Sequence, residues 1–225
     1  LSINMLFKIL VLAVALSAAN AEFRVINGQR ARQGQFPYAA YFGGCSGSLI
    51  SPTTLITAAH CYNAVRSSVT IGSLVGNNGG VRAQISRKIR HPSYRGGIGR
   101  EDIMVVKLTR PVTNVRPIPL ECNPVRDGTA ITVAGYGLTR TSGGSSGTLM
   151  YATNRSKACR QFPGAVCQGV NPNTPFKGDS GGPLMVGGNG GYRQVGVVSG
   201  GSPTSFAVYG TLGANNNCAW VKQQM

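Results

Sequence analysis

The segment Gly178-Asp179-Ser180-Gly181-Gly182-Pro183 sets one serine among glycines. Glycines can take the left-handed backbone that a sharp turn needs, so this pattern can present the Ser180 hydroxyl and turn the backbone N–H groups of Gly178 and Ser180 outward. A serine so placed is a nucleophile in need of a base, and the chain has only two histidines to offer. His60, in Thr57-Ala58-Ala59-His60-Cys61, ends a predicted strand and is the candidate base. His91, in Arg90-His91-Pro92-Ser93-Tyr94, precedes proline in a polar turn and reads as a surface histidine. Asp102 stands directly before the apolar run Ile103-Met104-Val105-Val106, where an unpaired carboxylate would be costly, so it needs a partner such as His60. Nucleophile, base, orienting acid and N–H donors for a developing oxyanion are the parts that acyl transfer requires.

Something must hold these groups together, and the rest of the chain reads as all-β. From Val25 onward, short apolar runs alternate with Gly, Ser and Asn clusters. Strands are predicted at Ser46 to Ile50, Thr54 to Ala59, Val69 to Val75, Ala83 to Ile89 and Ile103 to Leu108, enough for a first barrel. After a proline-containing crossing near Arg110 to Pro124, a second set runs Ala130 to Gly135, Gly182 to Val186, Arg193 to Ser199 and Ala207 to Leu212. The glycine-rich pieces Asn77 to Gly80, Gly96 to Gly99, Gly143 to Gly147 and Gly187 to Gly191 read as hairpin loops, none with phosphate-loop form. A short terminal helix is predicted over Asn217 to Met225, which includes Trp220 and lacks turn formers after Cys218.

The chain has 225 residues, 42% of them hydrophobic, enough to bury one large core or two small ones. Met5 to Ala21 has the three parts of a secretory signal: Lys8, the apolar run Ile9 to Leu16, and the small-residue site Ala19-Asn20-Ala21. The run falls far short of the roughly 20 residues that cross a bilayer as a helix. Residues Leu1 to Asn4 lie ahead of Met5 and enter no fold argument. Six cysteines in an exported chain, without metal-ligand spacing, point to disulfides and no metal. The formal charge is +16, with 16 Arg and 6 Lys making up the 22 basic residues against 6 acidic ones. Such a surface attracts polyanions, but no nucleic-acid-binding signature accompanies it. Asn154-Arg155-Ser156 is a formal glycosylation triplet whose use stays open.

The order His60, Asp102, Ser180 within these three motifs resembles the trypsin/chymotrypsin family of serine proteases, from about Val25 to the C-terminus. The resemblance implies two six-stranded antiparallel β-barrels, about 25–115 and 116–225, with the site in the cleft between them and a short C-terminal helix. It implies His60 as base, Asp102 as its orienting partner, Ser180 as nucleophile, Gly178 and Ser180 as the oxyanion hole, an acyl-enzyme intermediate and no cofactor. A zymogen is implied as well. Residues 22–24 would form an activation peptide after the signal at 5–21. Cleavage after Arg24 would free the Val25 amine of the peptidase domain, 25–225, to pair with Asp179.

By the same resemblance Thr174, six positions before the nucleophile, lies at the base of the specificity pocket, with Gly201 and Ala207 as its walls. Without an acid at its base the pocket should accept apolar residues, chymotrypsin-like or elastase-like, with aromatic against aliphatic preference open. The enzyme would then depend on a separate trypsin-like activating protease. The implied disulfides are Cys45 with Cys61, Cys159 with Cys167, and Cys122 with Cys218. Three departures stand out: Phe176 where a cysteine is usual, Gly200 in place of the aromatic that usually follows Ser199, and a shortened stretch from Leu149 to Cys167. The implied partners are protein or peptide substrates, the activator and protein protease inhibitors, with neither nucleic acid nor membrane, and the implied state is a monomer. The chain is also similar to insect digestive chymotrypsin-like enzymes, which implies secretion to an extracellular space such as a gut lumen. The excess of Arg over Lys would keep charge on the surface at alkaline pH. The alternative is a weakly active or inactive protease homologue that uses its basic surface to bind polyanions or microbes. Such a homologue usually loses a member of the triad, and none is lost here.

Overall fold

A computed structural model of the chain describes residues 28–137, 147–169, 174–175, 177–188, 191–202 and 206–225. The first barrel closes in the order β2 (Ala39–Tyr41), β3 (Ser46–Ser51), β4 (Thr54–Thr57), β7 (Met104–Leu108), β6 (Val81–Arg90) and β5 (Ser68–Ile71). Turn chemistry keeps these strands short. β5 stops at Gly72, which has a φ of +74° and lies so close to the Pro37 carbonyl that a Cβ would sit 2.9 Å from its oxygen. The strand therefore does not run on to Val75 as the apolar pattern suggests. β4 likewise ends at Thr57, because Ala59–Asn63 winds into a 3₁₀ turn that carries His60. Leu49, Leu55, Ile56, Ile71 and Val106 are fully buried in the core of this barrel.

The second barrel closes in the order β8 (Ala130–Gly135), β9 (Met150–Ala158), β10 (Val166–Gln168), β13 (Phe206–Thr211), β12 (Arg193–Ser202) and β11 (Pro183–Val186), which returns to β8. The short β1 (Gln29–Arg30) adds to β9. The fold is thus all-β, two closed six-stranded antiparallel barrels with one helix, α1 (Asn217–Gln223), after them. β9 and β10 are strands that the hydrophobic pattern hides. Along β9 the inward positions alternate correctly, but two of them are Asn154 and Ser156, both buried. Ser156 Oγ donates to the Arg126 carbonyl at 2.7 Å, so a polar group takes an apolar position at little cost. Asn154 is 6% exposed in the middle of this strand, so the folded protein does not offer its side chain for glycosylation.

Three disulfides join Cys45 to Cys61, Cys122 to Cys218 and Cys159 to Cys167. The second fastens the crossing between the barrels to α1.

That helix docks on the first barrel. Lys107 Nζ, on β7, donates to the carbonyls of Gln224 at 2.8 Å and Met225 at 2.9 Å, satisfying oxygens that the helix end leaves without partners. Asn217 Nδ2 donates to the Arg100 carbonyl at 2.9 Å, in the loop that leads to Asp102. Trp220 packs edge-on against His91, with ring centroids 4.7 Å apart.

His91 is therefore not the surface residue its polar neighbours suggest; it is 6% exposed. Its Nδ1 accepts the Ser93 N–H at 3.2 Å, which places the ring proton on Nε2. Burial lowers its pKa from 6.5, against an opposing pull from the Glu101 charge. The unfolded chain, with the ordinary pKa, takes up its proton first as the pH falls. Native stability is therefore full above about pH 6.5 and declines below it until the folded pKa is passed. Melting temperatures measured between pH 7 and pH 5 should fall in the native protein and fall less in His91→Gln; parallel slopes would remove His91 as the cause.

Candidate active site

His60 sits on the 3₁₀ turn that follows β4, where the first barrel meets the second. Its Nδ1 lies 2.7 Å from Asp102 Oδ2, and its backbone N–H donates to Asp102 Oδ1 at 2.9 Å. The Asp102 side chain is fully buried, while that of His60 is 32% exposed, so the ring joins a dry carboxylate to an open face. A third donor completes the carboxylate's shell: Ser199 Oγ, from β12 of the other barrel, donates to Asp102 Oδ2 at 2.6 Å. Ser199 Oγ in turn accepts the Gly99 N–H at 3.0 Å. A buried charge with three charge-assisted donors is stable in place, which answers the cost that the sequence raised at this position.

Ser180 is held against the same corner by its backbone. Its carbonyl oxygen accepts the Ser46 N–H at 2.8 Å and lies 3.7 Å from Cys61 Sγ, in the residue after His60. Ser46 is the hub of the junction. Its Oγ donates to the Gly178 carbonyl at 2.8 Å and accepts the Tyr136 N–H at 2.9 Å. Among the described residues no acceptor takes the N–H of Gly178 or of Ser180. The Cys45–Cys61 bridge lies directly behind these groups. It brings Cys45, His60 and Cys61 close together, but sulfurs joined to each other are not thiolate ligands for a metal.

Asp179 points away from this face and is 3% exposed. Its Oδ1 accepts the Gly137 N–H at 2.8 Å, and the carboxylate packs so closely on Gly135 and Gly137 that neither position has room for a Cβ. Behind it the Tyr209 hydroxyl donates to Gln168 Oε1 at 2.7 Å, and burial, helped by the Asp179 charge, pushes the phenol pKa strongly up.

The pocket candidates are neighbours. Gly201 is in register with Ala207, and Ala207 with Gln168; Gln168 Nε2 lies 3.4 Å from Thr174 Oγ1. Thr174 and Ala207 are buried. Arg24 and Val25 lie outside the described residues, as does Phe176. Ser46 and Ser199 carry much of this geometry yet belong to no motif, because each acts through a partner at least 90 residues away.

Residues 25–214 match the family described as Trypsin. The chain is 32% identical to Trypsin alpha-4 of Lucilia cuprina over 73% of its length and 70% of that protein's. It is 31% identical to Chymase of Cavia porcellus, over 73% and 77% of the two chains, and 31% identical to Trypsin of Xenopus laevis, over 85% and 87%. Two antiparallel barrels meeting at a His–Asp pair and a glycine-flanked serine define a two-barrel serine endopeptidase. The chain belongs to the trypsin family. No helix among the described residues is long and apolar enough to cross a membrane.

Proposed function

We propose that the protein is a secreted endopeptidase, made as a zymogen, that cuts peptide bonds after apolar residues. His60 takes the Ser180 proton as the hydroxyl attacks the scissile carbonyl. Asp102 fixes the ring with its proton on Nδ1 and stabilises the imidazolium, and the N–H groups of Gly178 and Ser180 receive the oxyanion. His60 then returns the proton to the leaving amine, and water resolves the acyl-enzyme by the same path in reverse. The observation that carries this reading is the fully buried Asp102 carboxylate bonded to His60 Nδ1 at 2.7 Å, with the far side of the ring open.

Activation follows cleavage after Arg24. The freed Val25 amine pairs with the Asp179 carboxylate, which is buried one residue before Ser180. Thr174, Gly201 and Ala207 give a pocket whose base bears no acid, so Lys and Arg fit poorly. An enzyme of that preference processes its own Arg24 bond poorly and relies on a trypsin-like activator. The signal at 5–21 sends the chain to an extracellular space such as a gut lumen, where it acts as a monomer on protein substrates and meets protein inhibitors.

The test is a panel of peptide amides, with Phe, Leu, Ala, Lys or Arg before the scissile bond, given to protein cleaved after Arg24. Hydrolysis after Phe or Leu, at least about tenfold above that after Arg, is expected. Preference for Arg would overturn the pocket assignment, and hydrolysis by the uncleaved chain at the same rate would overturn the zymogen.

A further inference from the structure

The two donors that would receive the oxyanion, the N–H groups of Gly178 and Ser180, belong to residues that Ser46 holds. Ser46 is the first residue of β3, is 1% exposed, and has all of its polar groups engaged. Its N–H donates to the Ser180 carbonyl at 2.8 Å, and its own carbonyl accepts the Thr57 hydroxyl at 2.7 Å. Its Oγ donates to the Gly178 carbonyl at 2.8 Å and accepts the Tyr136 N–H at 2.9 Å. The second of these bonds directs the first. With a lone pair given to a backbone N–H, the hydroxyl hydrogen is left for the Gly178 oxygen.

Gly178 needs such a hold. Its φ is +96°, a conformation open to glycine because glycine has so many others, and that freedom must be removed if its N–H is to keep one direction. Part of the restraint comes from packing, since a Cβ on Gly178 would stand 2.9 Å from Gly137 Cα. Contact at Cα alone leaves the peptide groups on either side free to turn. A hydrogen bond at the Gly178 carbonyl takes that rotation away. The next residue is held from the same side, where Asp179 Oδ1 accepts the Gly137 N–H at 2.8 Å. One hydroxyl thus joins the first barrel, the end of β8 and the loop that carries the nucleophile.

We propose that Ser46 is a positioning residue for the oxyanion hole. Its hydroxyl touches no substrate; it aims the Gly178 N–H by anchoring the carbonyl of the same residue, while its backbone N–H sets Ser180. This rests on the peptidase reading above. Donors fixed in advance stabilise an oxyanion well because they need not turn as the charge develops. Loss of the hydroxyl should therefore be felt in the transition state and not in the binding of the substrate.

The experiment uses the Arg24-cleaved enzyme and compares wild type with Ser46→Ala and Ser46→Gly. Both variants keep the backbone bonds to Ser180 and Thr57, so the nucleophile stays tethered. On a peptide amide that the wild type cuts, kcat in Ser46→Ala should fall by at least about tenfold, with KM within about twofold. Affinity for a peptide aldehyde, whose hemiacetal oxygen takes the place of the oxyanion, should weaken by the same factor as kcat/KM. Affinity for the matching peptide alcohol, which forms no bond to Ser180, should hold. Ser46→Gly leaves room for a water between Gly178 and Tyr136 and should lose less, about threefold in both readouts. A role confined to stability would lower the melting temperature and leave kcat and the aldehyde-to-alcohol ratio as in wild type, and that result overturns the proposal. If Ser46→Ala does not fold, wild-type values in Ser46→Gly overturn it equally. A wild type that cuts no peptide overturns instead the peptidase reading beneath it.

Discussion

Ser180→Ala is expected to lower kcat on a good peptide amide by about a millionfold, and His60→Ala by a similar factor. The double variant should be no worse than either single one, because a nucleophile without its base and a base without its nucleophile fail at the same step. Asp102→Asn should cost about ten thousandfold with the fold intact. The reason lies in its shell. Asp102 accepts from His60 Nδ1, from the His60 backbone and from Ser199 Oγ, and all three bring hydrogens. An amide has one acceptor oxygen for these donors and would turn its own N–H₂ toward one of them. His60 could then accept that hydrogen at Nδ1 and carry its proton on Nε2, where it is useless as a base toward Ser180. Steady-state rates on activated protein, with melting curves to verify folding, decide the matter. Losses below tenfold in any of the three variants would remove that residue from the chemistry.

Gly181→Ala should do more harm than the loss of any buried methyl group. Gly181 has a φ of +81° and pushes its Cα into the wall of the first barrel. A Cβ there would collide with Thr57 Oγ1 and stand 2.5 Å from the Ser46 carbonyl oxygen and 2.7 Å from the Ala58 nitrogen. Two of those neighbours are backbone, and Thr57 Oγ1 is itself committed to the Ser46 carbonyl at 2.7 Å, so nothing can swing away. The methyl group must part the barrels at the seam that holds Ser180 beside His60. A loss of about 4 kcal/mol or more in stability is expected, with kcat/KM falling by at least about a hundredfold in whatever folds. Chemical denaturation of Gly181→Ala beside Ser180→Ala tests this. A stability change under about 1 kcal/mol would show that the seam can yield.

The same seam explains what could be read from the sequence. Glycines that carry Ser180, the short run before His60 and the acid ahead of an apolar strand are local patterns, so they announce themselves in a few residues each. β7 and β11 were legible because their buried positions are apolar, and β3, β8 and β12 because each holds a short apolar run beside its buried Ser, Thr or Gln. β9 was not, since Asn154 and Ser156 occupy buried positions that a pattern of hydrophobicity assigns to loops. β10 has three residues, and its Gln168 is buried through a hydrogen bond with Tyr209, 41 positions later. His91 was misread for a related reason: its polar neighbours are local, and the indole that covers it arrives from α1.

The grip of Lys107 on the C-terminal carbonyls also bears on how the molecule comes to be assembled. Its acceptors on Gln224 and Met225 lie 117 and 118 positions further along the chain, and Trp220 reaches back to His91 from further still. The half of the polypeptide synthesised first is therefore sealed by a segment synthesised after the whole of the second barrel. Until that segment arrives, the first barrel lacks its outer cover and its last hydrogen bonds, and long-range closure of this kind makes folding slow. Proofreading is built into the order of events: a chain broken off early has a histidine and an aspartate but no latch to hold them still.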